Sequence, residues 1–156
     1  MEKSYREMEK ELQEEYKKKL NLLKKVKSEK EAVGQVFTKG ILPLYVYYIL
    51  AQAPSNGNDI ATKITQHTGG KWSPSTGGIY PLLKKMEKQG FITGLISDEG
   101  RLQKIYTLTK SGEEEFSYKK DLLFEKIKDA VDVFRLVLTD IYELNNEQMK
   151  TEFDIE

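Results

Sequence analysis

The sequence has no cysteine and a single histidine, His67, among its 156 residues. Without thiols, disulfides, cysteine-ligated metals and thiol nucleophiles are all excluded. No histidine is available to pair with Ser73 or Ser75, no phosphate-binding loop is present, and the carboxylates are scattered over charged helical segments. His67 lies eight residues from Asp59 across one short predicted helix, and we interpret it as a polar residue at a helix end rather than a metal ligand. We therefore expect no enzyme, no metal site and no cofactor.

Long hydrophobic runs are also lacking. The longest, at about residues 41 to 53, is too short to span a bilayer. The first residues, Met1-Glu2-Lys3, begin a charged helix rather than a signal peptide. These features predict a cytoplasmic protein with no membrane partner.

The whole chain has no excess of charge of either sign, since it contains 25 basic and 25 acidic residues. Its parts, however, are charged unequally. Residues 39–112 contain 9 Lys and Arg against 4 Asp and Glu, whereas residues 113–156 contain 6 against 13. The middle is thus basic and the C-terminal part acidic. A basic centre is compatible with a phosphate-binding surface.

Glycine and proline are absent from residues 2–31, where good helix formers dominate. We predict a narrow-striped amphipathic helix that ends before a break between Gly34 and Thr38, because apolar residues recur there in steps of three and four. The stripe consists of Tyr5, Met8, Leu12, Tyr16, Leu20, Leu23 and Val26. It requires a partner surface.

The middle of the chain predicts three helices followed by a β-hairpin. The first helix covers residues 39–53 with Pro43 in its first turns, and the second covers residues 58–67. The third is predicted to have Ser73 as its N-cap and Pro74 as its first residue. Its core face consists of Ile79, Leu82, Leu83 and Met86, and Gly90 ends it. Two β-prone runs, 91–97 and 102–109, are joined by a turn containing Gly100.

A last helix is predicted from Gly112 to about Leu144, with residues beyond Asn145 frayed or loosely docked. Its apolar residues alternate in steps of four and three, apart from Lys120, which is typical of a coiled-coil seam. One small winged-helix core cannot cover such a seam, so we predict that it forms a homodimer interface, to which the N-terminal helix adds. The predicted interface residues are Phe116, Leu123, Ile127, Ala130, Phe134, Val137 and Ile141.

The order of these elements is that of a winged helix-turn-helix. The predicted fold is mainly α with a small β-hairpin: an N-terminal amphipathic helical extension (1–37), a winged helix-turn-helix domain (38–112), and a C-terminal dimerisation helix and tail (113–156). The third helix would enter the major groove of double-stranded DNA, and the wing would touch the backbone. The predicted DNA-binding residues are Ser73, Ser75, Thr76, Gly77, Tyr80, Lys84, Lys88, Arg101 and Lys104.

Residues 39–112 also resemble the PadR family of bacterial transcriptional regulators. The resemblance consists of Pro54-Ser55-Asn56-Gly57-Asn58-Asp59-Ile60, Trp72-Ser73-Pro74-Ser75, Gly77, Ile79-Tyr80-Pro81-Leu82-Leu83, Glu87, Gly90, Ile92, Arg101, Lys104, Tyr106, Leu108-Thr109 and Gly112. It implies a DNA-binding homodimer, usually a repressor, whose C-terminal helices form the dimer and whose DNA affinity is often lowered by a small aromatic or drug-like effector. Asn58, Gly78 and Gln103 depart from the usual family residues, and Gln103, where a wing arginine is common, predicts a more weakly binding wing.

Two other functions fit the same fold. In the first, the domain is a protein-protein assembly module and its basic face is an ordinary solvated helix face. In the second, it is an architectural DNA-binding protein without sequence preference. A ligand-stacking role for Trp72 is also conceivable, but an anchor that packs the turn against the core is the favoured interpretation.

Overall fold

The computed structural model describes residues 4–38, 40–100 and 102–153, with side chains described for 4–26, 40–100 and 102–153. The chain divides into two compact units, one up to Glu113 and one from Glu114. As predicted, the fold is mainly α with one hairpin. Its elements are α1 (Tyr5–Thr38), α2 (Ile41–Gln52), α3 (Gly57–His67), α4 (Thr76–Lys88), β1 (Ile92–Ser97), β2 (Gln103–Leu108), α5 (Lys110–Asp140) and α6 (Asn146–Phe153).

The hydrophobic core of the first unit lies between α2, α3, α4 and the hairpin. Helix α2 is almost entirely apolar and is therefore buried on more than one face, while α3 and α4 each contribute one apolar stripe. Pro43 is tolerated because the first turn of a helix has no internal acceptor for its backbone amide. The core side chains are Leu42, Val46, Tyr47, Ile49, Leu50, Ile60, Ile64, Trp72, Ile79, Leu83, Met86, Ile92 and Tyr106.

The hairpin is fixed to this core by a short backbone bridge. Strands β1 and β2 pair antiparallel, from Ile92 opposite Leu108 to Ser97 opposite Gln103. The buried Ser55, between α2 and α3, forms an isolated bridge with Tyr106. The Ser55 amide donates to the Tyr106 carbonyl at 3.1 Å, and the Tyr106 amide donates to the Ser55 carbonyl at 2.9 Å. The turn before α3 thus holds the root of the wing.

The start of α4 differs from the prediction. The helix begins at Thr76 with Ser75 as its N-cap residue, so Ser73 is not the cap and Pro74 is not the first helical residue. The reason is tertiary: Trp72 is buried, and its backbone amide and carbonyl both bond the Thr68 hydroxyl, at 3.2 and 3.0 Å. This anchor holds the preceding segment in a non-helical path. Gly90, with φ of 80°, follows the helix as predicted.

The other predicted helix ends also need correction. Helix α1 continues through Gly34 to Thr38, because one interior glycine costs a helix only about 1 kcal/mol. Helix α5 begins at Lys110, before Gly112, since the Thr109 hydroxyl accepts a hydrogen bond from the Gly112 amide at 3.0 Å. It ends at Asp140 rather than Leu144.

A further helix, α6, lies where fraying was predicted. Its start is a reciprocal cap: the Gln148 amide donates to Asn145 Oδ1 at 2.8 Å, and the Asn145 amide donates to Gln148 Oε1 at 3.0 Å. Met149 is buried. Among the described residues, none of these helices has the length and apolar content needed to cross a membrane.

Candidate nucleic-acid interface

Helix α4 has one buried face and one exposed face. Ile79, Leu83 and Met86 are almost completely buried, whereas Lys84 and Lys88 are exposed. The sequence predicts this division, although Leu82, also assigned to the core face, is only partly buried. Pro81 lies on the exposed side, and the helix continues past it from Thr76 to Lys88. A basic, solvent-accessible helical surface is therefore backed by the core.

Tyr80 is held at the edge of this surface by the start of α3. Its ring packs on Gly57, where an added Cβ would lie 2.8 Å from the ring Cε1. Its hydroxyl donates to Asn58 Oδ1 at 3.4 Å, and 44% of the residue remains exposed. The lack of a side chain at Gly57 thus leaves the space in which the Tyr80 ring packs. Sequence reasoning missed this role, because Gly57 and Tyr80 are 23 positions apart.

The N-terminal end of α4 is open to a large ligand. Ser75, Thr76 and Gly77 are exposed, and the nearest side-chain atom to a Cβ built on Gly77 is Ser75 Oγ at 3.7 Å. The Ser75 side chain makes no capping hydrogen bond. Helix N-termini present backbone amides and a partial positive charge, both of which favour phosphate. The exposed Ser73 hydroxyl accepts a hydrogen bond from the hydroxyl of Thr65, a residue of α3, at 3.3 Å.

On the wing, the predicted DNA-binding residue Lys104 makes contacts within the protein that the sequence does not indicate. Lys104 Nζ lies 2.7 Å from Glu87 Oε2 and 5.5 Å from the centre of the Tyr106 ring, and its alkyl chain covers Gly94. The hydrogen bond with Glu87 raises the pKa of Lys104, so the lysine is charged, but a carboxylate of α4 already pairs with it. Arg101, the other predicted wing contact, lies outside the described residues.

Gln103, one of the three departures from the family pattern, also has an internal partner. Its side-chain oxygen accepts a hydrogen bond from the Asn56 amide group. Asn56 Oδ1 in turn accepts from the Asp59 amide at 2.8 Å and so caps α3. A glutamine at position 103 therefore links the wing to the N-terminus of α3.

The predicted dimer seam on α5 forms a surface of its own. Phe116, Leu123 and Ile127 are partly exposed within the single chain. The ammonium group of Lys120 lies 5.2 Å from the Phe116 ring, a cation–π contact that accommodates a lysine within the seam. The remaining predicted residues are all exposed: Ala130, Phe134, Val137 and Ile141.

Trp72 packs as the favoured interpretation predicts, and His67 lies at the end of a helix. Trp72 is buried, with its ring 5.9 Å from that of Tyr45, which fits an anchor. His67 lies in the last turn of α3, 5.8 Å from the Tyr48 ring. Within the described part of the chain, no group of three or more His, Asp or Glu residues could hold a metal ion.

Comparison with known proteins finds a family match within this part of the chain. Residues 46–118 match the model of the transcriptional regulator PadR-like family. The negative transcriptional regulator PadR of Bacillus subtilis (strain 168) is 35% identical over 77 residues, which are 48% of this chain and 42% of that protein. The chain thus spans less than half the length of this relative.

Two solved structures share the fold. A transcriptional regulator from Clostridium thermocellum superposes with a TM-score of 0.57 at 21% identity, over 64% of this chain and 97% of that one. A PadR-like transcriptional regulator from Bacillus cereus strain ATCC 14579 has a TM-score of 0.52 at 29% identity, over 63% and 95% of the two chains. Residues 46–118 therefore form a PadR-like domain, and the proteins that it resembles here are described as transcriptional regulators.

Proposed function

We propose that the chain binds double-stranded DNA sequence-specifically and regulates transcription, with α4 as the helix that enters the major groove. One observation carries this proposal: α4 is buried along Ile79, Leu83 and Met86, and exposed along Gly77, Lys84 and Lys88. An exposed basic helix face behind a short helix and before a hairpin is the arrangement that winged helix-turn-helix proteins use on DNA.

The charges and hydrogen-bonding groups on this face suit two tasks. Lys84 and Lys88 would neutralise backbone phosphates, which supplies affinity without sequence preference. Tyr80, Thr76 and Ser75 offer hydroxyl groups to base edges or phosphates, and Gly77 allows close approach of the duplex. Because Lys104 already pairs with Glu87, we expect the wing to contribute less to DNA affinity than α4 does.

The finer parts of the proposal concern assembly and control. A homodimer through α5 would bind an inverted repeat, with half-sites separated by roughly 34 to 36 Å or a multiple of that distance. Repression is supported by the similarity to a negative regulator. Release by a small aromatic effector is implied by the family resemblance, and titration of such compounds into the bound complex would test it. A bacterial regulator of this kind would act in the cytoplasm.

The test is DNA binding by the full chain as a function of salt. A duplex is first selected from a random pool, and its affinity is then measured by fluorescence anisotropy over a series of salt concentrations. We expect Tyr80→Ala and Lys84→Ala each to weaken binding about 5- to 150-fold, the equivalent of about 1 to 3 kcal/mol. Lys150→Ala removes an exposed lysine from α6 and is the charge-matched control; it should bind like the parent.

Two results would point elsewhere. If no duplex is bound with a steep salt dependence, the protein-protein assembly module becomes the better account of the fold. If random and selected duplexes compete equally, the protein is architectural and lacks sequence preference.

A further inference from the structure

Helix α1 presents an apolar stripe that the rest of its own unit, up to Glu113, leaves uncovered. Every described side chain from 4 to 26 is exposed, including Tyr5 at 83%, Leu12 at 65% and Tyr16 at 69%. Tyr5, Met8, Leu12 and Tyr16 also line a shallow groove along the helix. A stripe of this length on a charged helix is typical of a helix that packs against another helix.

The stripe is nearly symmetric about its centre. From Tyr16, apolar residues lie at −4 and +4 (Leu12 and Leu20), at −8 and +7 (Met8 and Leu23), and at −11 and +10 (Tyr5 and Val26). Two copies of the helix placed head to tail, with their Tyr16 residues at the crossing, therefore bring apolar residues opposite one another along the whole stripe. A parallel pair also matches apolar positions, so the stripe alone does not fix the direction.

The charges fix the direction. Residues 5–15 contain five acidic and two basic residues, a net charge of −3, whereas residues 16–26 contain five lysines and no acid, a net charge of +5. In a parallel pair each half meets its own sign. In an antiparallel pair the acidic half of each helix lies beside the basic half of the other, and such complementarity sets helix orientation.

We propose that α1 is a self-association surface, on which the α1 helices of two copies pair antiparallel with Tyr16 at the centre. Residues 5–26 would form about 33 Å of paired helix at 1.5 Å per residue. The partner of the stripe is thus a second copy of this chain. This interface is additional to the proposed α5 dimer, and it does not rest on the proposed DNA binding.

The absence of cysteine from the sequence makes the test direct. Two full-length variants, Tyr5→Cys and Val26→Cys, are prepared with tags of different mass, mixed and oxidised without DNA. Positions 5 and 26 are about 32 Å apart along one helix, so only an antiparallel pair brings them together. We expect disulfides between the two variants and almost none within either variant alone. Glu7→Cys and Lys25→Cys, on the opposite side of the helix, form the control pair and should remain unlinked.

Each alternative gives a different pattern of disulfides. A parallel pair would link Tyr5→Cys to itself and Val26→Cys to itself, which overturns the proposal. If no disulfide forms in the mixture or in either variant alone, α1 packs against something other than a second α1, such as α5, and the proposal is equally wrong. Binding of DNA by these variants is measured separately, so failure of this proposal is distinguishable from failure of the proposed function.

Charge reversal provides a second measurement. One set of substitutions makes the first half of the helix basic, and a companion set makes the second half acidic. Either variant alone should lose the 5–26 cross-link, because like charges then face each other, and mixing the two should restore cross-linking between chains. Restoration on mixing cannot follow from simple damage to the helix. The sets are Glu9→Lys, Glu11→Lys and Glu15→Lys for the first variant, and Lys17→Glu, Lys19→Glu and Lys24→Glu for the companion.

Discussion

At the scale of single residues, Gly112 shows how closely the first turn of α5 approaches β1. A Cβ at this position would lie 2.0 Å from the Phe91 carbonyl oxygen and 2.7 Å from Leu108 Cδ1. The first of these atoms is backbone and cannot rotate away. The same turn is held by Thr109, whose hydroxyl donates to the Gly90 carbonyl at 2.7 Å and accepts from the Gly112 amide. Gly112 is therefore required for close packing.

We predict that Gly112→Ala lowers the free energy of unfolding by about 1 to 3 kcal/mol, the usual cost of overpacking. The intrinsic gain in helix propensity, about 1 kcal/mol, would be outweighed because backbone must move. Urea denaturation measures the change, provided the m-value is unaltered. Ser111→Ala, at the exposed neighbouring position, is the control and should stay within about 0.5 kcal/mol of the parent. An equally stable Gly112→Ala would contradict the packing.

The adjacent glycines of α4 permit a test that separates folding from binding. An added Cβ at Gly77 has no atom closer than 3.7 Å, and at Gly78 none closer than 3.8 Å, so alanine at either should be tolerated or slightly stabilising. Gly77, however, lies on the exposed face, whereas Gly78 is only partly exposed and near Leu42. We predict that Gly77→Ala weakens DNA binding at least several-fold, and that Gly78→Ala does so less. Equal affinities for both variants and the parent would mean that the duplex does not approach Gly77.

At the scale of elements, the salt bridge between α4 and β2 decides how strongly the wing can contact DNA. Glu87 and Lys104 are 17 positions apart and belong to different elements, but their charged atoms lie 2.7 Å apart. Both side chains are partly exposed, so the bridge contributes little to stability. Its effect on binding is larger, because it neutralises a lysine that would otherwise be available to phosphate.

We predict that Glu87→Gln strengthens binding to all duplexes alike and steepens the dependence of log K on log salt by roughly one unit, as expected for one additional phosphate contact. The gain should disappear in the double variant Glu87→Gln with Lys104→Ala. If the gain persists there, the released lysine is not its source, and removal of the acidic charge from α4 is the cause.

Periodicity and turn residues were sufficient to predict every element except α6, which lies where fraying was expected. The apolar spacing of Ile79, Leu83 and Met86 predicted the buried face of α4, and the β-prone runs on either side of Gly100 predicted the hairpin. Contacts between distant residues were not predictable: nothing local indicates that Gly57 receives the Tyr80 ring or that Lys104 meets Glu87. The predicted start of α4 was wrong for the same reason. Burial of Trp72, a tertiary contact, overrides a good local capping sequence at Ser73 and Pro74.

At the scale of the whole molecule, α5 and α1 both expose more apolar surface than an isolated monomer requires. On α5, Phe134 is 49% exposed, and exposure extends to side chains outside the predicted seam, such as Leu122, Phe124 and Leu136. Ile141, which lies just beyond the end of the helix, is 69% exposed. Large exposed apolar surface is usually covered by a partner. The predicted seam is therefore part of a wider surface on α5.

Assembly through the α5 surface should also affect DNA recognition. We expect the parent chain to sediment as a homodimer at micromolar concentration. Phe134→Asp should shift it towards monomer, because a charge would be buried within the seam and only the proposed α1 pairing would remain to hold two chains together. Since Phe134 is already half exposed in the single chain, the substitution should leave the fold of the monomer intact. The control is Asp132→Asn, which changes an exposed polar residue two positions away.

The dimer variant should also change how the operator is read. Two linked reading helices bind an inverted repeat with a large gain from effective concentration, whereas a monomer binds each half-site independently. Phe134→Asp should therefore lose most of the affinity for the full repeat but keep the parent's affinity for a single half-site. Affinity for the full repeat that survives in a demonstrated monomer would contradict dimeric recognition, and a parent that is monomeric would contradict the α5 interface itself.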